Sequence, residues 1–250
     1  MKSFIIQFKR LFSFRLLLIS MIFAGTHLLS IAGEIRDSGS TWYYLGRSLD
    51  SDVTFFTMYF LPAMAFSYTL SDEWISHASD YWVNRIGINR YTYSKFIISA
   101  LGGFLSVFIG IMLIILVLLI KFPTFVGDYG SGPSYILVND GHVFAGVFLY
   151  AFDYSLSGAV SAVIGLFCST FVMSPIVSVT APLCIQMTLS LISNIFELPK
   201  QFNALFWMHF YGDSSSLIGA VREKYLPCIL VMVIMAFIGT QKTHKRLEVR

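Results

Sequence analysis

A chain of 250 residues with 56% apolar and only 12% charged side chains cannot cover a water-facing surface, because soluble domains carry about 25% charge. A mean hydropathy of +0.72 excludes disorder equally. What is left is an all-α integral membrane protein, one transmembrane domain over residues 1–250, whose net charge of +3 has meaning only once it is divided between two membrane sides.

Residues 1–15 are more than a tail. Phe4, Ile5, Phe8, Leu11 and Phe12 share one helical face, and Lys2, Lys9, Arg10 and Arg15 supply a basic complement. This pattern predicts an amphipathic helix lying in the membrane interface, its cations near anionic headgroups. The first span follows at 16–33, interrupted only by His27. Its basic start and Ser30-Ile31-Ala32 imitate a cleaved signal, but the apolar run is long for one and reads as a retained span. The second span, 53–70, is rich in aromatics and holds Pro62.

The loop 71–95 is the most informative segment. Ser71 can cap a helix with Asp72 and Glu73 in its first turn, where the helix dipole favours acids. Trp74, Ile75, Ala78, Tyr81, Trp82 and Ile86 recur at helical spacing up to a stop at Gly87, so one amphipathic helix is predicted over 71–86. Its aromatic side needs cover, from the headgroup belt or from a groove on another protein. The third span, 96–120, has no charge, and 127–134 (GDYGSGPS) is a turn region.

Residues 143–194 carry one charge, Asp153, and cross twice, at 154–173 and 175–194, with Met173-Ser174-Pro175 as the turn. The preceding piece 143–152 is too short to cross. It is predicted to ride on the outer surface and so to put Asp153 near the headgroups. The pieces 202–210 and 214–221, broken at Gly212-Asp213, predict an outer re-entrant helical hairpin. The sixth span is 225–241. With the N-terminus inside, eleven Lys and Arg fall on the cytoplasmic side and six outside, while four acids lie inside and ten outside. Both termini and 71–95 are therefore expected in the cytoplasm, with 34–52, 121–142 and 195–222 outside.

The search for chemistry yields little. Cys168, Cys184 and Cys228 lie in apolar runs without metal spacing. No P-loop, HExxH or acidic cluster occurs, no metal site is expected, and the cations are too scattered for nucleic acid. Ser157-Gly158-Ala159 with His209 resembles the Ser and His of rhomboid-type intramembrane proteases, yet His209 lies in an outer loop and the oxyanion residues are missing from 53–70. An ion-coupled transporter would want buried charge, and His27 is the one ionisable group near a span centre.

The whole arrangement resembles the permease subunits of type-2 ABC (ABC-2) exporters. The resemblance covers an amphipathic start, an aromatic loop after span two, a tight turn between spans four and five, a broken hairpin before span six, and the basic tail HKRLEVR. Its most specific stretch is NRIGINRYTYSKFI, residues 84–97. It implies no cofactor in this chain, since a separate P-loop ATPase subunit would hold ATP and magnesium. It implies a second permease subunit, identical or paralogous, in the cytoplasmic membrane. Coupling to the ATPase would fall to Asp72, Glu73, Trp74, Asp80, Tyr81, Trp82, Arg85 and Arg90. Spans two and five would line the path, with Phe55, Phe56, Tyr59, Phe60, Met187 and Thr188 suited to an amphipathic or hydrophobic cargo. Small permeases of this kind serve peptide export or antimicrobial-peptide immunity, so a peptide is the expected cargo.

Overall fold

In hydrocarbon every backbone N–H must find its acceptor within its own segment, so apolar runs of about 20 residues become helices. The computed structural model describes residues 8–9, 11, 14–35, 39–122, 125, 132–199, 203, 219 and 221–248, and all regular structure among them is helical. In chain order these are α1 (Phe14–Ile31), α2 (Thr41–Leu49), α3 (Asp52–Phe66), α4 (Thr69–Ile75), α5 (Ala78–Ile86), α6 (Ile88–Lys121), α7 (Pro133–Asn139), α8 (Val143–Phe171), α9 (Pro175–Ile195) and α10 (Leu226–Glu248). A wide π turn, Val221–Tyr225, leads into α10. Among the described residues five helices are long and apolar enough to cross a membrane, and the pair α3–α4, bent by 42°, makes a sixth when taken as one span.

The chain turns at 67–87 and at 172–174 at one end of the bundle, here called basal, where α10 also finishes. The opposite, distal end carries α2, α7 and the start of α8. Helix α8 is the central element. In its most apolar window 78% of residues are buried, against 22% for the last helix. The reason is in its sequence, Ser155 to Gly165, where small side chains let neighbouring backbones come close. At Gly158 a Cβ would lie 2.6 Å from Val107 Cγ2 and 2.8 Å from the Gly103 carbonyl oxygen of α6. At Gly165 it would strike the Ser178 carbonyl of α9. Hydroxyls finish the joints: Ser67 and Ser99 both donate to the Ala162 carbonyl, at 2.6 and 3.0 Å, tying α3 and α6 to α8.

Several expectations are revised by this fold. Residues 143–152 are not a separate surface piece but the first turns of the unbroken 29-residue α8, and the Asp153 side chain is buried against neighbouring elements. The helix expected over 71–86 is two helices. Ser76 closes α4, and His77 takes a left-handed conformation at φ 57° before α5 starts. The third span is longer than its charge-free stretch, running from Ile88 directly after Gly87, which sits at φ +81° where glycine carries no steric penalty. The outer segment 34–52 contains α2, capped by Ser40 Oγ accepting from the Tyr43 N–H at 3.1 Å, and α2 buries Trp42, Tyr44, Leu45 and Leu49 in the main core. Most of the N-terminal interfacial helix (1–15) and of the re-entrant hairpin (202–221) lies outside the described residues. Of the predicted N-terminal apolar face, Leu11 is buried against Phe66 and Ile98, while Phe8 is exposed.

Candidate functional site: a basal helical segment and a polar interior

The basal segment is built on one buried ion pair. Glu73 in α4 accepts from Lys95 Nζ at 2.7 Å and from the Tyr91 hydroxyl at 2.8 Å. Lys95 is fully buried, its ammonium 5.2 Å from the Phe66 ring centroid and 5.6 Å from that of Tyr91. A buried cation of this kind is stable only when paired, so α4 is fastened to the first turns of α6. Of the residues predicted to meet an ATPase, Glu73 therefore faces inward, while Asp72 is exposed and Trp74 half-buried.

Helix α5 divides its large side chains between two directions. Trp82, Val83 and Ile86 pack on the cluster of Leu70, Tyr91 and Phe96. Tyr81 points away, 59% exposed, and its hydroxyl accepts from Arg85 Nη1 at 2.9 Å. The Tyr81 and Trp82 rings meet edge to face at 5.5 Å. Tyr81, Trp82 and Arg85 thus do not share one outward surface, as helical spacing had suggested. Tyr81 and Arg85 form the outward pair, and Trp82 is its inner support. Asp80 is half-buried at 3.4 Å from the His77 imidazole, and Arg90 is exposed beyond the Gly87 turn.

The second region is a polar seam within the helices. Lys224 Nζ donates to Asp153 at 2.7 Å, and both side chains are buried. Gln186 on α9 donates to Ser161 on α8 at 2.9 Å. Ser190 stands one turn along α9 from Gln186, and Tyr59 stands one turn along α3 from Pro62, the residue against Gly158. Antiparallel α9 and parallel α3 therefore bring Ser190 and Tyr59 to the level of Ser155 to Ser157. Tyr59 Oη and Ser190 Oγ are buried there with no hydrogen-bond partner among the described residues. Buried polar atoms are nearly always paired, so these two hydroxyls stand out in the bundle interior.

The expected path residues are split by this packing. Tyr59 is buried, with Phe55 edge to face against it at 4.9 Å. Phe55, Phe60 and Met187 are half-buried. Phe56 and Thr188 lie on the outer surface of α3 and α9. His27 is a satisfied packing residue: Nδ1–H donates to the Ser48 carbonyl at 2.8 Å, and Nε2 lies 3.0 Å from Thr57 Oγ1. Ser157 is in the core, and His209 lies outside the described residues.

Sequence reading missed the roles of Lys95 and Lys224. Lys224 figures in the sequence only as a topology charge, and Lys95 also as the Lys of the stretch 84–97. A signal existed for one of them, since an acid inside an apolar run, Asp153, demands a buried counter-charge. Among the described residues no three His, Cys, Asp or Glu side chains converge as metal ligands would. No protein-family model, curated protein or solved structure matches the chain.

Proposed function

We propose that this multi-pass membrane protein is the permease subunit of an ATP-driven exporter of the type-2 ABC kind, its basal end in the cytoplasm. The observation that carries this reading is the α4–α5 segment. It is fastened to the bundle through Glu73, Lys95 and Tyr91 and turns Tyr81 and Arg85 outward. A docking helix must have both properties, an exposed aromatic and Arg contact and a rigid link to the spans. ATP and magnesium would be held by a separate P-loop ATPase seated on this helix. A second permease subunit, identical or paralogous, would face α3 and α9, where Phe56, Thr188 and Leu191 are exposed. The cargo is then an amphipathic or hydrophobic molecule, a peptide by resemblance, with Tyr59 and Ser190 available for its polar groups.

A P-loop ATPase should co-purify with the full-length chain. In a Tyr81→Ala, Arg85→Ala variant that association should weaken by about 30-fold, as loss of roughly 2 kcal/mol at an interface hot spot does. Absence of an ATPase from the wild-type preparation, or undiminished recovery with the variant, overturns the reading. The exposed pair would then belong to the headgroup belt.

Sidedness has its own test. In a chain whose Cys168, Cys184 and Cys228 are replaced, Asn84→Cys should react with an impermeant thiol reagent only from the cytoplasm and Asp140→Cys only from outside. The reverse pattern removes the docking role from α5. One observation favours a different class. The buried Asp153–Lys224 pair is the kind of intramembrane charge that ion-coupled transporters use. Transport that stops with a protonophore and survives ATP depletion would select that class.

A further inference from the structure

A groove at the basal end lies between α10 and the α5–α6 corner, lined by Val83, Asn84 and Ile86 of α5 but not by the outward Tyr81 and Arg85. It consists of two adjoining cavities of about 540 and 330 Å³ that share Asn89 and His244. Both volumes fall within the roughly 300–1,000 Å³ of small-molecule sites. The larger one is lined by Asn84, Asn89, Arg90 and His244, and no carboxylate lines either cavity. Arg90 has no carboxylate partner among the described residues. The smaller cavity continues along Tyr93 and Phe237, both exposed on the outer side of their helices.

We infer that this groove seats an anionic phospholipid, its phosphate against Arg90, Asn89 and His244 and its upper chain along Tyr93 and Phe237. Three features converge on this ligand. The groove lies at the border of the apolar stretches, one to two turns before the charge-free part of α6 and just past the apolar part of α10, which is headgroup depth. Its polar wall sets a guanidinium, whose fork suits phosphate oxygens, beside neutral amide side chains that can donate, and holds no carboxylate. Its other wall is aromatic and opens toward lipid, so a free anion would leave half the groove unfilled. Basic pockets between spanning helices are the usual form of a headgroup site.

The test uses the full-length protein in nanodiscs of equal phosphatidylglycerol and phosphatidylcholine, released for native mass spectrometry. The wild type should retain phosphatidylglycerol over phosphatidylcholine by about fivefold or more, the gain expected per cation near the lipid surface. Arg90→Gln with His244→Gln should bring the ratio close to one, while Arg90→Lys keeps it. Lys242→Gln, a cation of the same turn placed over the Phe171 ring and outside the groove, should also keep it. Equal retention of both lipids by the wild type, or a preference unchanged in the double variant, overturns the inference. So does displacement of the retained lipid by millimolar inorganic phosphate, which would make the site one for a soluble anion. ATPase recovery is not read in this experiment, so its outcome and that of the docking test are separate.

Discussion

Replacing Lys224 by Met is expected to destabilise the fold by roughly 3–5 kcal/mol, the cost of leaving a buried carboxylate unpaired. Lys224 is completely buried, its ammonium 2.7 Å from Asp153, and no other cation is hydrogen-bonded to that carboxylate among the described residues. The same pair replaced together, Asp153→Leu with Lys224→Met, should recover most of the loss, because hydrocarbon accepts two apolar side chains more readily than one stranded charge. Unfolding of the full chain in detergent, read as a double-mutant cycle, measures this. A single variant within about 0.5 kcal/mol of the wild type would mean that water or a headgroup reaches Asp153, and the polar seam would not be sealed.

Lys95→Met should have an effect of comparable size, again about 3–5 kcal/mol, because it removes the ammonium bonded to the buried Glu73 carboxylate, which the neutral Tyr91 hydroxyl does not replace as a counter-charge. Under the exporter reading its functional consequence is more specific. Helix α4 would lose its fastening to α6 while Tyr81 and Arg85 on α5 keep their outward face. In Glu73→Gln with Lys95→Met, which removes both charges, the ATPase should still co-purify while substrate-stimulated ATP hydrolysis falls at least tenfold, or about 1.4 kcal/mol of coupling. Unchanged stimulation in that double variant would show that the ion pair only holds the fold together.

The spans were readable because each depends on a local property, a run of apolar residues long enough to cross. Residues 96–120 illustrate this, as do the turn at Pro175 and the stop at Gly87. What escaped depends on partners distant in the chain. Asp153 in an apolar run calls for a counter-charge, but nothing around it in the chain singles out Lys224, 71 positions on. The break between α4 and α5 escaped for a different reason. Its pivot is His77 at φ 57°, a residue type that carries no strong turn signal, so the periodicity ran on across it. Helix α2 could have been found. Ser40 before an apolar pattern at Trp42, Leu45 and Leu49 is a capped amphipathic helix, only nine residues long and so without the apolar run that marks a span. In α5, composition picks out the large aromatic and Arg side chains. It could not separate Tyr81 and Arg85 from Trp82, because which side of α5 is covered is decided by Leu70 and Tyr91 of other helices.

The wide spacing of the Asp153–Lys224 pair also sets a clock on biogenesis. The two residues are 71 positions apart, and a ribosome adding about 5–20 residues per second makes Lys224 roughly 4–14 s after Asp153. For that interval the central helix has emerged but its counter-charge does not exist. Helix α8 is the element that most of the other spans pack against, so it cannot simply wait outside the membrane. Its carboxylate has to be sheltered meanwhile by water, by the insertion machinery or by the hydroxyls of its own neighbourhood. The Glu73–Lys95 pair, 22 residues apart, is complete within a few seconds at the same rate. The basal end is thus the part of the molecule that can settle first, and the distal end is sealed only when the last helix arrives.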